Sequence, residues 1–299
     1  MFYETIIIGG GIAGLQAAIQ LGRAQRKALV IDSNRGRSTL CRSYHNILGW
    51  PDGISGEELR RLGRQQAEQV GIQFTEDTVS SAEKTKTGFT LTTEKGKQYE
   101  AKRILIATGI IDRIPDLPEI YECLGNSAYI CPDCDGYEIK DELTIIAGSG
   151  NAGANMALTL SYWTDKLIYI NHEQQKVDKD LLQKLKDKHI EYLEEPIKKV
   201  VKERQSFQGF ILDEGRLLSA NKCFLAFGGN EVKSQLAKQL GVEVMDNNHI
   251  KVDPRTQMTN VENVWAAGDV TVHSEQVAIA MGDGLQAAIW IHKSLLNEK

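Results

Sequence analysis

Short unbroken apolar runs alternate along this chain with longer stretches whose apolar positions recur every three or four residues. The alternation is written twice. The first passage opens on the apolar run Thr5-Ile6-Ile7-Ile8, turns at Gly9-Gly10-Gly11-Ile12-Ala13-Gly14, and continues as an alanine-rich helix to about Gly22. A second strand, Ala28 to Ile31, ends on Asp32. The second passage opens on Leu143-Thr144-Ile145-Ile146, turns at Gly148-Ser149-Gly150-Asn151-Ala152-Gly153 into another helix, and has its second strand from about Lys166 to Ile170. Both go on to an amphipathic helix and a short strand (Gly71 to Phe74; His189 to Leu193). Each then has a hairpin-like stretch and closes on Ala-x-Gly, at Ala107-Thr108-Gly109 and Ala226-Phe227-Gly228.

Strands alternating with periodic helices predict parallel sheets built from right-handed crossovers. The expected fold class is α/β, with two Rossmann-like nucleotide-binding domains of three-layer ββα form. The tail after about Glu231 holds Asn263-Val264-Trp265-Ala266-Ala267-Gly268-Asp269 and a last helix, Glu275 to Leu296. It matches neither passage, so it is expected to return and complete one of them.

A length of 299 residues fits two domains that each bury a core. The net charge of −5, with acids and bases scattered, offers no basic stripe for nucleic acid and no polybasic segment for a membrane surface. No apolar run is long enough to span a bilayer. Met1 to Glu4 lead straight into a strand-like run with no visible signal segment, so a cytoplasmic location is the default expectation. The cysteines are Cys41, Cys123, Cys131, Cys134 and Cys223, and an odd count argues against a secreted disulfide scaffold.

The two glycine motifs differ in what surrounds them. In the first, an apolar strand leads in, a helix leads out, and Asp32 ends the next strand. Glycine permits a tight turn and close approach of a pyrophosphate, which the helix N-terminus stabilises with its N–H groups and dipole, while the acid accepts from ribose hydroxyls. The second has the glycines, but its second strand ends on Asn171, His172 and Glu173. A pocket for the 2′-phosphate of NADP offers arginines. Here Glu173 would repel the phosphate and Lys176 is the nearest cation. Two readings fit: Asn171 or Glu173 holds a ribose hydroxyl of NADH, or this fold binds no nucleotide.

Cys131-Pro132-Asp133-Cys134 lacks the further ligands a zinc site needs, whereas a redox pair needs only itself. Pro132 suits the first position of a helix, placing Cys131 at the helix mouth where the dipole favours its thiolate; Asp133 and Asp135 oppose this. Thiol–disulfide exchange uses one thiolate to attack and its neighbour to resolve. A flavin supplies the two-electron reservoir, so a glycine loop and a C-x-x-C make a working combination.

With these motifs the chain resembles the low-molecular-weight thioredoxin reductases over nearly its whole length. The resemblance is carried by Gly9-x-Gly11-x-x-Gly14, Ile106-Ala107-Thr108-Gly109, Cys131-x-x-Cys134-Asp135-Gly136 and Ala267-Gly268-Asp269. It implies a discontinuous FAD domain, 1–111 and 232–299, with a pyridine-nucleotide-type domain carrying the C-x-x-C inserted at 112–231. It implies that Gly9, Gly11, Gly14 and Asp32 hold the FAD pyrophosphate and ribose, with Thr108 and Gly109 in the same site. Gly268 and Asp269 would meet the ribityl chain, and Gln276 and Val277 would start the last helix facing the flavin pyrimidine. By the same resemblance Cys134 exchanges electrons with the flavin, Cys131 attacks the partner disulfide, and Asp135 moves the proton of the leaving thiol. A homodimer and a large rotation between domains are also implied.

Two departures stand out. The family's His-Arg-Arg-x-x-x-Arg signature for NADPH falls on Asn171, His172, Glu173 and Val177, without an arginine. Its Gly-Gly-Gly-x-Ser-Ala-x-Glu loop falls on Gly148 to Asn155 and loses the glutamate. They leave FAD and the cysteine pair untouched and put NAD(P)H in question. The leading expectation is a disulfide reductase passing electrons from FAD through Cys131–Cys134 to a thioredoxin-like protein or small disulfide. Its donor would be NADH, ferredoxin or another carrier. The alternatives are an oxygen-dependent dithiol oxidase of small molecules and a non-enzymatic flavin redox sensor.

Overall fold

The computed structural model describes residues 2–297, so Met1, Glu298 and Lys299 at the ends of the expected domains lie outside the described residues. The chain divides into two compact units, one of Met1–Thr39, Gly56–Ile111 and Glu231–Lys299, the other of Leu40–Ser55 and Asp112–Asn230. The division expected from sequence kept residues 40–55 with the flanking unit and ended the inserted one at 231. In the structure the 40–55 segment is hydrogen-bonded to the second unit, with Arg42 N–H donating to Leu124 C=O at 3.0 Å. Its two arms pair through Tyr44 and Ile54.

The first unit is built on a parallel sheet. Its strands run in the order Gln73–Glu76, Ala28–Asp32, Phe2–Ile8, Gln98–Ile106. The strand Val264–Ala266 pairs in parallel with the last residues of Gln98–Ile106, so the tail does complete this unit. Val79–Lys84 and Phe89–Thr93 add an antiparallel extension. A parallel strand covered on both faces must be apolar at every position. Ile6, Ile7 and Ile8 are all buried for this reason, the two faces of the sheet feeding two separate cores. The helices Ile12–Arg23 and Val277–Leu296 pack on one face. They approach so closely that a Cβ on Gly284 would lie 2.1 Å from the Ala13 carbonyl oxygen. The last helix begins at Val277, two residues later than the expected Glu275, because Gln276 is extended and stands as its N-cap.

The second unit repeats the plan. Its parallel sheet runs Glu191–Leu193, Leu167–Asn171, Thr144–Gly148, Lys222–Ala226, Ala128–Tyr129. An antiparallel sheet of Ile197–Glu203, Ser206–Leu212 and Leu217–Ser219 lies apart from it. The two-residue strand Ala128–Tyr129 takes the edge position that Val264–Ala266 takes in the first unit, since each pairs in parallel with its unit's closing strand. Ligands of such sheets sit beyond the carboxyl ends of the strands. The sequence after each edge strand is thus delivered to the chemical end of its sheet: Ala267-Gly268-Asp269 in one unit, Cys131 to Cys134 in the other. Among the described residues no helix is long and apolar enough to cross a membrane.

Candidate active site

The glycine loop of the first unit links Phe2–Ile8 to the helix Ile12–Arg23, with Gly11 as N-cap. Gly14 lets that helix settle onto the loop, since a Cβ there would fall 1.9 Å from the Gly9 carbonyl oxygen. Gly11 is different. Its φ is −74°, which any residue adopts, and a Cβ there would meet nothing within 4 Å. The protein has no packing reason for glycine at this position. A diphosphate drawn against the helix N-terminus supplies one, so the loop fits the pyrophosphate of a dinucleotide. At the end of Ala28–Asp32, Asp32 Oδ2 accepts from Arg60 Nη2 at 2.7 Å. Arg60 also donates to the Gly10 carbonyl at 2.9 Å and to Asn34 Oδ1 at 2.9 Å. It ties the acid to the loop. Sequence reasoning missed Arg60, which lies in the following helix with no local signal.

The other positions expected at the flavin lie in the same unit. The Thr108 hydroxyl donates to Lys233 C=O at 2.6 Å, and Lys233 N–H donates to Gly109 C=O at 3.0 Å. These two residues tie the returning chain in place. Gly268 has φ +77° and lies against Ala13, and its N–H donates to Asp283 Oδ2 at 3.3 Å. Burial pushes the Asp269 carboxyl up, while Arg37, 3.2 Å from its Oδ2, opposes the shift. Arg37 also pairs with Glu275. Asp283, almost buried, accepts from Gln257 Nε2 at 3.1 Å and stands 2.5 Å from His273 Nε2. That carboxylate raises the His273 pKa. Gln276 caps the Val277–Leu296 helix in an extended conformation, so Val277 is its first residue.

In the second unit, Cys131 and Cys134 form a disulfide with Cα atoms 5.3 Å apart, within the ordinary range. Pro132 opens the short turn Pro132–Asp135 and Cys131 is its N-cap, its Sγ accepting from Cys134 N–H at 3.2 Å. The chain runs on through Gly136, where the Trp163 ring would lie 2.7 Å from any Cβ. Asp135 is the notable acid. Burial first, then the nearby Glu138, pushes its carboxyl up to about 7, with Lys222 opposing. Lys222 Nζ donates to Tyr129 Oη at 2.8 Å, so the cation is anchored at the root of the motif. Among the other thiols, Cys123 and Cys223 are buried and unbridged. Burial, with help from Asp135, pushes the unbridged Cys41 up to about 12. These three are not nucleophiles at neutral pH.

The second glycine loop leads from Thr144–Gly148 to the helix Gly150–Leu160. Asn171 is fully buried, and its Oδ1 accepts from Gly150 N–H at 2.9 Å. Its Nδ2 donates to Gln175 C=O at 2.7 Å and to Tyr192 Oη at 3.0 Å. His172 Nδ1 accepts from Ile197 N–H at 2.7 Å, and burial lowers its pKa. Glu173 forms a two-pronged pair with Arg113, at 2.7 and 2.9 Å. That pairing, supported by Ser149, holds its carboxyl down at about 2.

Comparison with known proteins agrees with this geometry. The family pattern described as pyridine nucleotide-disulphide oxidoreductase matches residues 3–284. A thioredoxin reductase of Treponema pallidum (strain Nichols) is 30% identical over 96% of this chain and 95% of its own length. One of Rickettsia bellii (strain RML369-C) is 29% identical over 98% of both chains. The crystal structure of thioredoxin reductase from Streptococcus pyogenes MGAS5005 shares the fold at TM-score 0.87 and 23% identity, covering 99% of this chain and 98% of that one. Enzymes of this family use FAD, with NAD(P)H as the usual donor. The chain belongs to the pyridine nucleotide-disulphide oxidoreductase family, and within it is a thioredoxin reductase-like oxidoreductase with a redox-active disulfide.

Proposed function

We propose that this protein is an FAD-dependent disulfide reductase whose substrate is a thioredoxin-like protein or a small disulfide. The observation that carries the reading is the Cys131–Cys134 bridge with Asp135 poised near neutrality beside it. Gly9, Gly11, Gly14 and Asp32 would hold the FAD pyrophosphate and ribose, and Gly268, Asp269, Gln276 and Val277 its ribityl and pyrimidine ends. Thr108 and Gly109 support the site by tying the returning chain. When bound and reduced, the flavin would supply the electron pair that opens the Cys131–Cys134 bond.

The chain's own residues do the rest. Opening the bridge leaves thiols at Cys131 and Cys134. The Cys131 thiolate attacks one sulfur of the partner disulfide, forming a mixed disulfide and releasing the partner's other sulfur as a thiolate. Asp135, protonated below about pH 7, gives that leaving thiolate its proton. Cys134 then attacks Cys131, re-forming the bridge and releasing the second partner thiol. Two electrons and two protons leave with the reduced partner. Turnover of oxidised thioredoxin by the FAD-loaded protein, lost in Cys134→Ser, is the expected result. Undiminished turnover in that variant would refute the reading.

The reverse direction is the second reading, an oxidase closing small dithiols with oxygen as acceptor. It is favoured by one observation, the commitment of Asn171, His172 and Glu173 to internal partners, because an oxidase has no use for a nucleotide donor. Dithiol-dependent peroxide formation separates the two. A homodimer, a cytoplasmic setting, and a ferredoxin-type protein as donor belong to the same proposal. The unbridged Cys41, Cys123 and Cys223 suit a reducing compartment.

A further inference from the structure

The second glycine loop is not merely short of arginines. It is filled by the chain that follows it. The N–H of Gly150, at the mouth of an eleven-residue helix, is the donor a diphosphate would need, and it is spent on Asn171 Oδ1 at 2.9 Å. A Cβ on Gly150 would meet Gln175 Cβ and the Lys176 carbonyl oxygen, each at 3.2 Å, where one on Gly11 meets nothing within 4 Å. One residue into the helix, the Asn151 side chain accepts from Asp178 N–H at 2.9 Å and donates to Asp178 Oδ2 at 2.8 Å. Segment 171–178 is therefore pinned across the helix mouth at both ends.

A latch holds it from outside. Glu173 places its carboxylate on Arg113 in fork-to-fork geometry, at 2.7 and 2.9 Å. Arg113 is in turn fixed by donating to Phe227 C=O at 2.7 Å and Gly228 C=O at 2.9 Å, the closing Ala-x-Gly of the unit. Arg113 is thereby committed. A dinucleotide phosphate brought here would face the Glu173 charge and would have to uncouple a buried carboxamide that makes three hydrogen bonds. Leaving such a buried group unpaired is unfavourable, before any like-charge repulsion.

We propose that segment 171–178, latched by Glu173 on Arg113, closes the second glycine loop, so that this unit takes neither NADH nor NADPH. The family's usual donor does not fit the residues present. The proposal concerns nucleotide binding alone and stands or falls independently of the disulfide chemistry.

The test is calorimetric titration of the FAD-loaded protein with NADPH and with NADH, paralleled by nicotinamide fluorescence. The expected result for the native sequence is no saturation into the millimolar range. Saturation at micromolar nucleotide would overturn the proposal. Glu173→Ser, checked for folding by circular dichroism, is expected to gain at least tenfold in affinity for either nucleotide. A folded variant with no gain would show that the latch does not close the loop, and would equally overturn it. Arg113→Ala releases the latch from the other side and serves if Glu173→Ser does not fold. Disulfide turnover driven by chemically reduced flavin is measured on the same samples, so that loss of enzyme function is told apart from gain of nucleotide binding.

Discussion

The two units share strand order, glycine spacing and edge strand, yet their helix mouths have opposite characters. At Gly11 the space beyond the missing side chain is open and Asp32 is held ready by Arg60. At Gly150, whose φ is +50°, the space beyond the missing side chain is lined by Gln175 and Lys176, and Asn171 takes the N–H. A glycine motif records that a helix packs closely on a strand, as Gly14 and Gly153 both do. Whether it also binds a nucleotide depends on the segment after the second strand. The units differ again at the edge strand, which delivers a glycine–acid turn in one and a disulfide in the other.

The sharpest break of this contrast is on the sulfur side. Replacing Cys134 with Ser removes the group that resolves the mixed disulfide, and turnover should fall roughly 10⁴-fold because the two thiols act as one unit. A stopped assay of thioredoxin or small-disulfide reduction reads this directly, with FAD content unchanged.

Next is Gly11→Leu. Its side chain enters open space in the protein, so the fold should survive, but it displaces the pyrophosphate from the helix mouth. Losing two charge-assisted hydrogen bonds of about 2 kcal/mol each weakens FAD binding about 10³-fold. Flavin content after dialysis checks it. Unchanged FAD affinity would mean that the first loop is not the flavin site.

Asp135→Asn should lower turnover about 10²-fold and remove the alkaline inflection near pH 7 from the rate profile. The stability readout has the opposite sense. A carboxyl whose folded pKa is raised from 3.8 to about 7 costs stability as pH rises through that window. Thermal melts at pH 8 should therefore find Asp135→Asn at least as stable as the native protein. A merely structural role would predict a loss.

The smallest effect belongs to the latch. Glu173→Ser should cost about 1 kcal/mol at neutral pH, since the pair is only partly shielded from water. The contribution of a carboxyl lowered from 4.5 to about 2 is present above its unfolded value and fades as pH falls through that window. The difference between native and variant melts should therefore vanish near pH 2.

Much of this was legible in the sequence because it is local. Runs such as Thr5 to Ile8 and Thr144 to Ile146 announce buried parallel strands, and the spacing of Gly9, Gly11 and Gly14 announces the turn that follows. Pro132 announces the short turn that presents Cys131. What was hidden depends on residues far apart in the chain. Arg60 reaches Asp32 from 28 residues away and Arg113 reaches Glu173 from 60. No periodicity or spacing marks either partner. The grouping of residues 40–55 with the second unit is hidden for the same reason, since their tie to Leu124 is a backbone hydrogen bond that any sequence can make. The Asn171 carboxamide also looked available for a ribose, because only the fold shows that Gly150, Gln175 and Tyr192 already use it.

The central claim, that electrons pass between the flavin and the Cys131–Cys134 pair, is tested most directly by anaerobic titration of the FAD-loaded protein with a strong dithiol, followed at the flavin absorbance. The account predicts bleaching of the native protein and none in Cys134→Ser. Equal bleaching of both proteins would contradict it.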